Sequence, residues 1–124
     1  MPNTTDDVMR LEREFKACHK VLTALGDETR QYLICVMLKI RCGGHRVVDI
    51  AKQTNLSRPA VSHHMQILKD AGIVKSRKEG TCIYYYLDPE ASQLCALITL
   101  FSDVREFMKY VPDRSGDEST YEPS

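Results

Sequence analysis

The sequence predicts a mainly α-helical domain carrying one small β-hairpin. Three observations lead there. Residues 47–53 and the stretch from Ser57 to Gly72 are two short helical patterns parted by Thr54-Asn55-Leu56, a break with room only for a tight turn. The residues from Ile73 to Leu87 form two β-rich runs around Glu79-Gly80, with glycine in the turn. The flanking segments repeat apolar residues at spacings of three and four, the helical period.

In chain order, residues 1–6 are polar and are expected to fray as a disordered N-terminus. From about Asp7 one helix is expected, with Val8, Leu11, Phe15, Cys18, Leu22 and Leu25 along a stripe. Its other face carries Arg10, Glu12, Arg13, Glu14, Lys16 and Lys20, which makes it an amphipathic helix in want of a partner. Gly26 stops it. Asp27 can cap the next helix, and Arg30 falls in its first turn. Residues 28–40 are apolar nearly all round, so a central position is expected. Cys42-Gly43-Gly44 reads as a link.

The stretch from Val47 to Leu87 carries the chemistry. Val48, Ile50 and Ala51 can pack the short first helix. The Ser57 hydroxyl can accept from an orphan N–H of the second helix, and Pro59 lies where a missing donor costs nothing. Val61, Met65 and Leu68 then fall on one face with His64 beside them, while Ser57, Arg58, Ser62, His63, Gln66 and Lys69 fall largely on the other. Gly72 can take the left-handed conformation that ends the helix. Such a pair presents its second helix to the DNA major groove with its N-terminal residues nearest the base edges. Arg58 suits guanine and Gln66 adenine. Ser57, Ser62 and His63 are nearby contacts to phosphate or base. Lys69, with Lys75, Arg77 and Lys78 expected at the hairpin tip, would supply affinity that is independent of sequence. Helix, turn, helix and basic hairpin together describe a winged helix-turn-helix. Of Tyr84, Tyr85 and Tyr86, alternate rings should pack inward and the remainder lie outside.

After the hairpin, Asp88-Pro89 opens a long helix to about Tyr110, lined by Leu94, Leu97, Ile98, Phe101, Val104, Phe107 and Met108 and widened by Cys95 and Leu100. A reading head this small cannot bury that stripe and the first helix's stripe together, which points to a homodimer. Residues 112–124, PDRSGDESTYEPS, read as a disordered acidic tail, leaving 7–111 as a single DNA-binding and dimerisation domain.

Three stretches, LGDETRQYLICVML at 25–38, SRPAVSHHMQILKDAGIV at 57–74 and EGTCIYYYL at 79–87, occur in an order and spacing that resemble the ArsR/SmtB family of transcriptional regulators. The resemblance covers roughly residues 20–110 and implies a dimer formed by the first and last helices. It also implies a repressor on a pseudo-palindromic operator, with two recognition helices in major grooves about 34–36 Å apart.

Members of that family commonly release DNA on binding a transition metal or a thiol oxidant. The family's paired metal cysteines would fall at Arg46 and Val48, ahead of Asp49, and the Asp/His pairs of its last helix lack any histidine within 89–110. Both motifs are absent. Cys18-His19 and Cys42-Gly-Gly-His45 remain as candidate half-sites for a transition metal, although Cys18 lies on the apolar stripe and His45 reads equally as a loop residue. For a thiol switch, Cys35 matches the family's position in the second helix, but Cys95 lies about two turns before the partner position near Asp103. Cys35 sits among apolar residues, so a buried, inert thiol is the expected state. Cys82 is expected to be a plain strand residue.

Composition agrees with a soluble regulator. The chain of 124 residues is 43% hydrophobic and 27% charged, with no apolar run near bilayer length. A polar N-terminus and five irregularly spaced cysteines lead to the expectation of a cytoplasmic protein with reduced thiols, no evident cofactor and no membrane partner. Net charge is zero but segregated: residues 40–87 carry eight Lys and Arg against three Asp and Glu, a net of +5, and residues 88–124 the reverse, −5. The basic share falls on the reading head. No Gly-rich phosphate loop, nucleophile elbow or carboxylate pair in a cleft suggests an enzyme. Adjacent Cys18 and His19 would point about 100° apart on a helix. The rival to DNA binding is a winged-helix module for protein partners, which the basic helix face and wing disfavour.

Overall fold

The computed structural model describes residues 4–40, 43–90 and 92–111, so the expected tail and Cys42 lie outside the described residues. Six helices and one hairpin follow in the order α1 (Thr5–Ala17), α2 (His19–Leu25), α3 (Glu28–Lys39), α4 (Val47–Lys52), α5 (Arg58–Asp70), β1 (Val74–Glu79), β2 (Cys82–Leu87) and α6 (Ser92–Met108). A mainly helical domain with a two-stranded antiparallel sheet is what the patterning predicts.

The first expected helix is two. It begins at Thr5 rather than Asp7, because Thr4 accepts from the Asp7 N–H while Asp7 accepts from the Thr4 N–H, a reciprocal capping box. It breaks at Cys18, whose backbone leaves the helical region at φ −94° and ψ 6°. Periodicity missed the break because the side chains on both sides keep their spacing. α1 buries none of its own residues, whereas Cys18, Val21 and Ala24 beyond the break enter the core.

α2 ends where α3 caps it. Of the last carbonyls of α2, Leu22 accepts from the Gly26 N–H, Thr23 and Ala24 accept from the Arg30 guanidinium, and Leu25 accepts from the Gln31 amide. The orphan acceptors of one helix end are thereby satisfied by the first turns of the next. Asp27 caps α3 by accepting from the Arg30 N–H at 3.0 Å, as expected.

α3 is central on one side only. Leu33, Val36 and Met37 are buried, but Tyr32, Cys35 and Leu38 face outward. The expectation of a buried Cys35 is therefore corrected. An apolar composition concealed that the helix lies at the edge of a small core, with one face open.

The core joins Leu33 and Met37 to Ile50, to Val61, Met65 and Leu68 of α5, to Ile73, Val74 and Tyr85 of the hairpin, and to Leu97 and Leu100 of α6. Thus Leu97 and Leu100 form the inward stripe of α6, while Ile98, Phe101 and Met108 stay exposed. α1 packs along α6 and leaves Val8 and Phe15 exposed as well. No helix among the described residues is long and apolar enough to cross a membrane.

Candidate nucleic-acid interface

α4 and α5 are joined by a turn that side chains hold closed. Thr54 Oγ1 donates to the Ala51 carbonyl at 3.3 Å and accepts from the Leu56 N–H at 3.2 Å. Ser57 then caps α5 by accepting from the Ala60 N–H at 3.2 Å, and Pro59 occupies the first turn. The far end closes with the Gly72 N–H on the Lys69 carbonyl and the Ile73 N–H on the Leu68 carbonyl, the Schellman pattern. Gly72 has φ of +81°, and a Cβ there would stand 2.5 Å from Gln93 Cγ, so both conformation and space require glycine.

Between these caps the two faces of α5 separate cleanly. Val61, Met65 and Leu68 have no exposed surface, whereas Ser57, Arg58, Ser62, His63, Gln66 and Lys69 are all exposed. Arg58 and Lys69 make no ion pair among the described residues, and Gln66 donates to Asp70 at 2.9 Å. His64 lies between the faces, its Nδ1 3.3 Å from an Arg30 guanidinium nitrogen.

The hairpin turns on Gly80, at φ +61°, and pairs Lys75 with Tyr86, Arg77 with Tyr84 and Lys78 with Ile83. This register corrects the expected placement of the wing cations. Lys78 lies next to the tip, but Lys75 lies at the base, where its ammonium meets Asp88 at 2.7 Å. Arg77 is exposed but held by contacts within the chain. Its guanidinium pairs with Glu79 at 2.9 Å, donates to the Gly43 carbonyl, and lies 5.3 Å and 5.9 Å from the ring centres of Tyr84 and Tyr86. Tyr85 is buried and its two neighbours lie on the opposite face, the alternation expected of a strand.

His45 is not a plain loop residue. It exchanges backbone hydrogen bonds with Tyr85 at 2.7 and 2.8 Å, adding a one-residue bridge to the hairpin. The residue is 5% exposed, and burial pushes its pKa below the usual imidazole value, against the opposing pull of Asp49 and a hydrogen bond to the Met37 backbone. Cys18 is buried in the core and His19 is exposed beside it. Among the described residues, no three His, Cys, Asp or Glu side chains gather as a metal site would need. Arg46 and Asp49 form a two-bond pair at 3.0 and 3.3 Å, which holds the Asp49 carboxyl below its usual range.

A capped two-helix unit with a polar outer face, followed by a two-stranded wing, is a winged helix-turn-helix. Residues 27–76 match the sequence model described as "bacterial regulatory protein, arsR family". An HTH-type transcriptional regulator of Methanocaldococcus jannaschii is 36% identical over 86 residues, covering 68% of this chain and 94% of that protein. The chain belongs to the ArsR family. The transcriptional repressor SdpR of Bacillus subtilis is 33% identical over 75 residues, covering 60% of this chain and 80% of the repressor. Among solved structures, a homodimeric winged helix-turn-helix DNA-binding domain from Mycobacterium bovis superposes with a TM-score of 0.56 at 27% identity, over 83% of this chain and 91% of that domain. This ArsR-family chain is accordingly a winged helix-turn-helix transcriptional regulator.

The contacts not foreseen in the sequence include those of Arg77, Gln66, Lys75 with Asp88, and Arg30 with His64. Gly80 in the turn implies the register that faces Arg77 with Tyr84, so that stacking could have been counted from the sequence. The Gly43 carbonyl beneath Arg77 left no such signal.

Proposed function

We propose that this regulator represses transcription as a homodimer on a pseudo-palindromic operator. The observation that carries the reading is the division of α5: six polar residues exposed on one face, three apolar residues fully buried on the other, and both helix ends capped. Arg58 and Gln66 read base edges, Ser57, Ser62 and His63 contact phosphate or base, and Lys69 and Lys78 meet phosphate. Lys75 and Arg77 contribute positive field and hold the wing in shape through Asp88, Glu79 and the tyrosines.

The exposed apolar residues Val8 and Phe15 of α1 and Ile98, Phe101 and Met108 of α6 support a twofold interface on that side of the molecule. A compact dimer acts by covering its operator. Selection from a randomised duplex pool tests this. The expected product is an inverted repeat with half-sites about one helical turn apart, bound by two chains. Enrichment of an isolated half-site bound by one chain, or no enrichment, contradicts it.

A thiol-responsive form of the same function is favoured by one observation, the exposure of both Cys35 and Cys95. Titration of the reduced, metal-free protein with the selected duplex, repeated with Zn(II) and with a mild disulfide-forming oxidant, separates the cases. Loss of binding with oxidant alone, reversed by thiol, supports this reading. Binding unchanged by oxidant removes it, and loss with Zn(II) would bring Cys18, His19, Cys42 and His45 forward.

A further inference from the structure

Val61, Met65 and Leu68 hold α5 against the core by apolar contact, which has no preferred direction of its own. A directional contact at the boundary between the two faces adds a constraint on rotation about the helix axis, and such a rotation would move Arg58, Ser62 and Gln66 together. Among the described residues, His64 stands at that boundary with such a contact, to Arg30.

Arg30 is well placed for this. Its guanidinium donates to the Ala24 carbonyl at 2.7 Å and the Thr23 carbonyl at 3.4 Å, lies 3.9 Å from Asp27, and is only 11% exposed. These partners fix it to the end of α2 and the start of α3, in the body of the domain. Its remaining nitrogen reaches His64 Nδ1 at 3.3 Å. A guanidinium can only donate, so in this contact His64 Nδ1 is the acceptor.

We propose that Arg30 is a positioning residue for DNA reading, acting through His64 to set the roll of the recognition helix. The charged and titratable groups around His64 are Arg30 and Asp27 at the start of α3 and His63 on its own helix, whose ring centre is 5.7 Å away. Losing the contact would free the roll of α5, so that reading of bases weakens while attraction to phosphate does not.

This proposal rests on the DNA-binding reading, and its test is a ratio. Affinity for the duplex selected by the wild-type protein is compared with affinity for a scrambled duplex at pH 8, with thermal unfolding followed in parallel. Arg30→Met is expected to lower the ratio by about tenfold, the scale of one hydrogen bond to a charged group, with scrambled-duplex affinity within about twofold. His64→Leu, which has no acceptor, is expected to lower the ratio to the same extent, whereas His64→Gln, which keeps one, is expected to preserve it. Equal losses on both duplexes in a folded Arg30→Met protein, or the same ratio in His64→Leu and His64→Gln, overturn the proposal. If Arg30→Met does not fold, the comparison of the two His64 variants decides. Absence of discrimination in the wild type at pH 8 would instead be a failure of the DNA-binding reading.

Discussion

The side-chain amide of Gln66 donates to Asp70 Oδ1 at 2.9 Å, one helical turn further along α5. A carboxamide has two N–H donors and one acceptor oxygen, so this bond leaves one donor and the acceptor free. That remaining pair is what adenine N7 and N6 require. Asp70 thus orients Gln66 while leaving that pair free.

Gln66→Ala is expected to relax preference at one base pair of each half-site by about 1–3 kcal/mol, and Arg58→Ala at another. Asp70→Ala should cost less at the Gln66 position, because the amide keeps its chemistry and loses only its orientation. Competition titrations with single-base operator variants measure all three. Equal losses at every position would mean that these side chains contribute charge or stability alone.

The wing cations are expected to behave differently from one another. Lys78 makes no ion pair among the described residues, so Lys78→Ala should reduce the slope of log affinity against log salt by about one. Lys75→Ala and Arg77→Ala should change that slope less and lower thermal stability more, since one frees Asp88 and the other frees Glu79 and the Gly43 carbonyl. Salt-dependent binding isotherms and melting curves on the three variants check the ordering.

Stability should fall on acidification in two stages. Burial holds the His45 imidazole below its ordinary value of 6.5, so the unfolded chain takes up that proton first as pH drops. Its contribution is complete above 6.5 and declines below it. Asp49, held by Arg46, Asp88, held by Lys75, and Asp27, held by the Arg30 N–H, all lie below the ordinary 3.8. Their contributions are present above that value and are lost as pH falls further. Urea midpoints from pH 8 to pH 3 are expected to show both stages, with His45→Gln lacking the first. A wild-type midpoint that stays flat between pH 8 and pH 5 would contradict the buried imidazole.

Phe101 is 52% exposed on α6, flanking the buried stripe of Leu97 and Leu100. If α6 forms the proposed twofold interface, Phe101→Glu should leave the fold intact and yield a monomer, weakening operator binding by at least about tenfold through loss of the second half-site. Sedimentation velocity and circular dichroism report the two properties separately. An unchanged dimer would move the interface elsewhere.

What the sequence made legible was local. Ser57, Pro59 and Gly72 marked the limits of α5, Asp27 the start of α3, and the spacing of Val61, Met65 and Leu68 the buried face, because caps and periodicity act within a few residues. Longer-range placement was less legible. The break at Cys18 leaves the apolar spacing undisturbed, and Cys35 is exposed because of where the core ends rather than because of its neighbours in sequence. The reach of Arg30 to His64 spans 34 residues and of Arg77 to Gly43 another 34, distances at which no local pattern operates.

If the exposed face of α5 reads DNA sequence while Lys69 and the wing supply the phosphate affinity, both should show in the affinity of the reduced protein for its selected duplex and for a scrambled duplex across a range of salt concentrations. Steep salt dependence is expected on both duplexes, with a preference for the selected one of at least about a thousandfold at physiological salt. Equal affinity for the two, or binding indifferent to salt, would contradict it and turn attention to a protein partner for this surface.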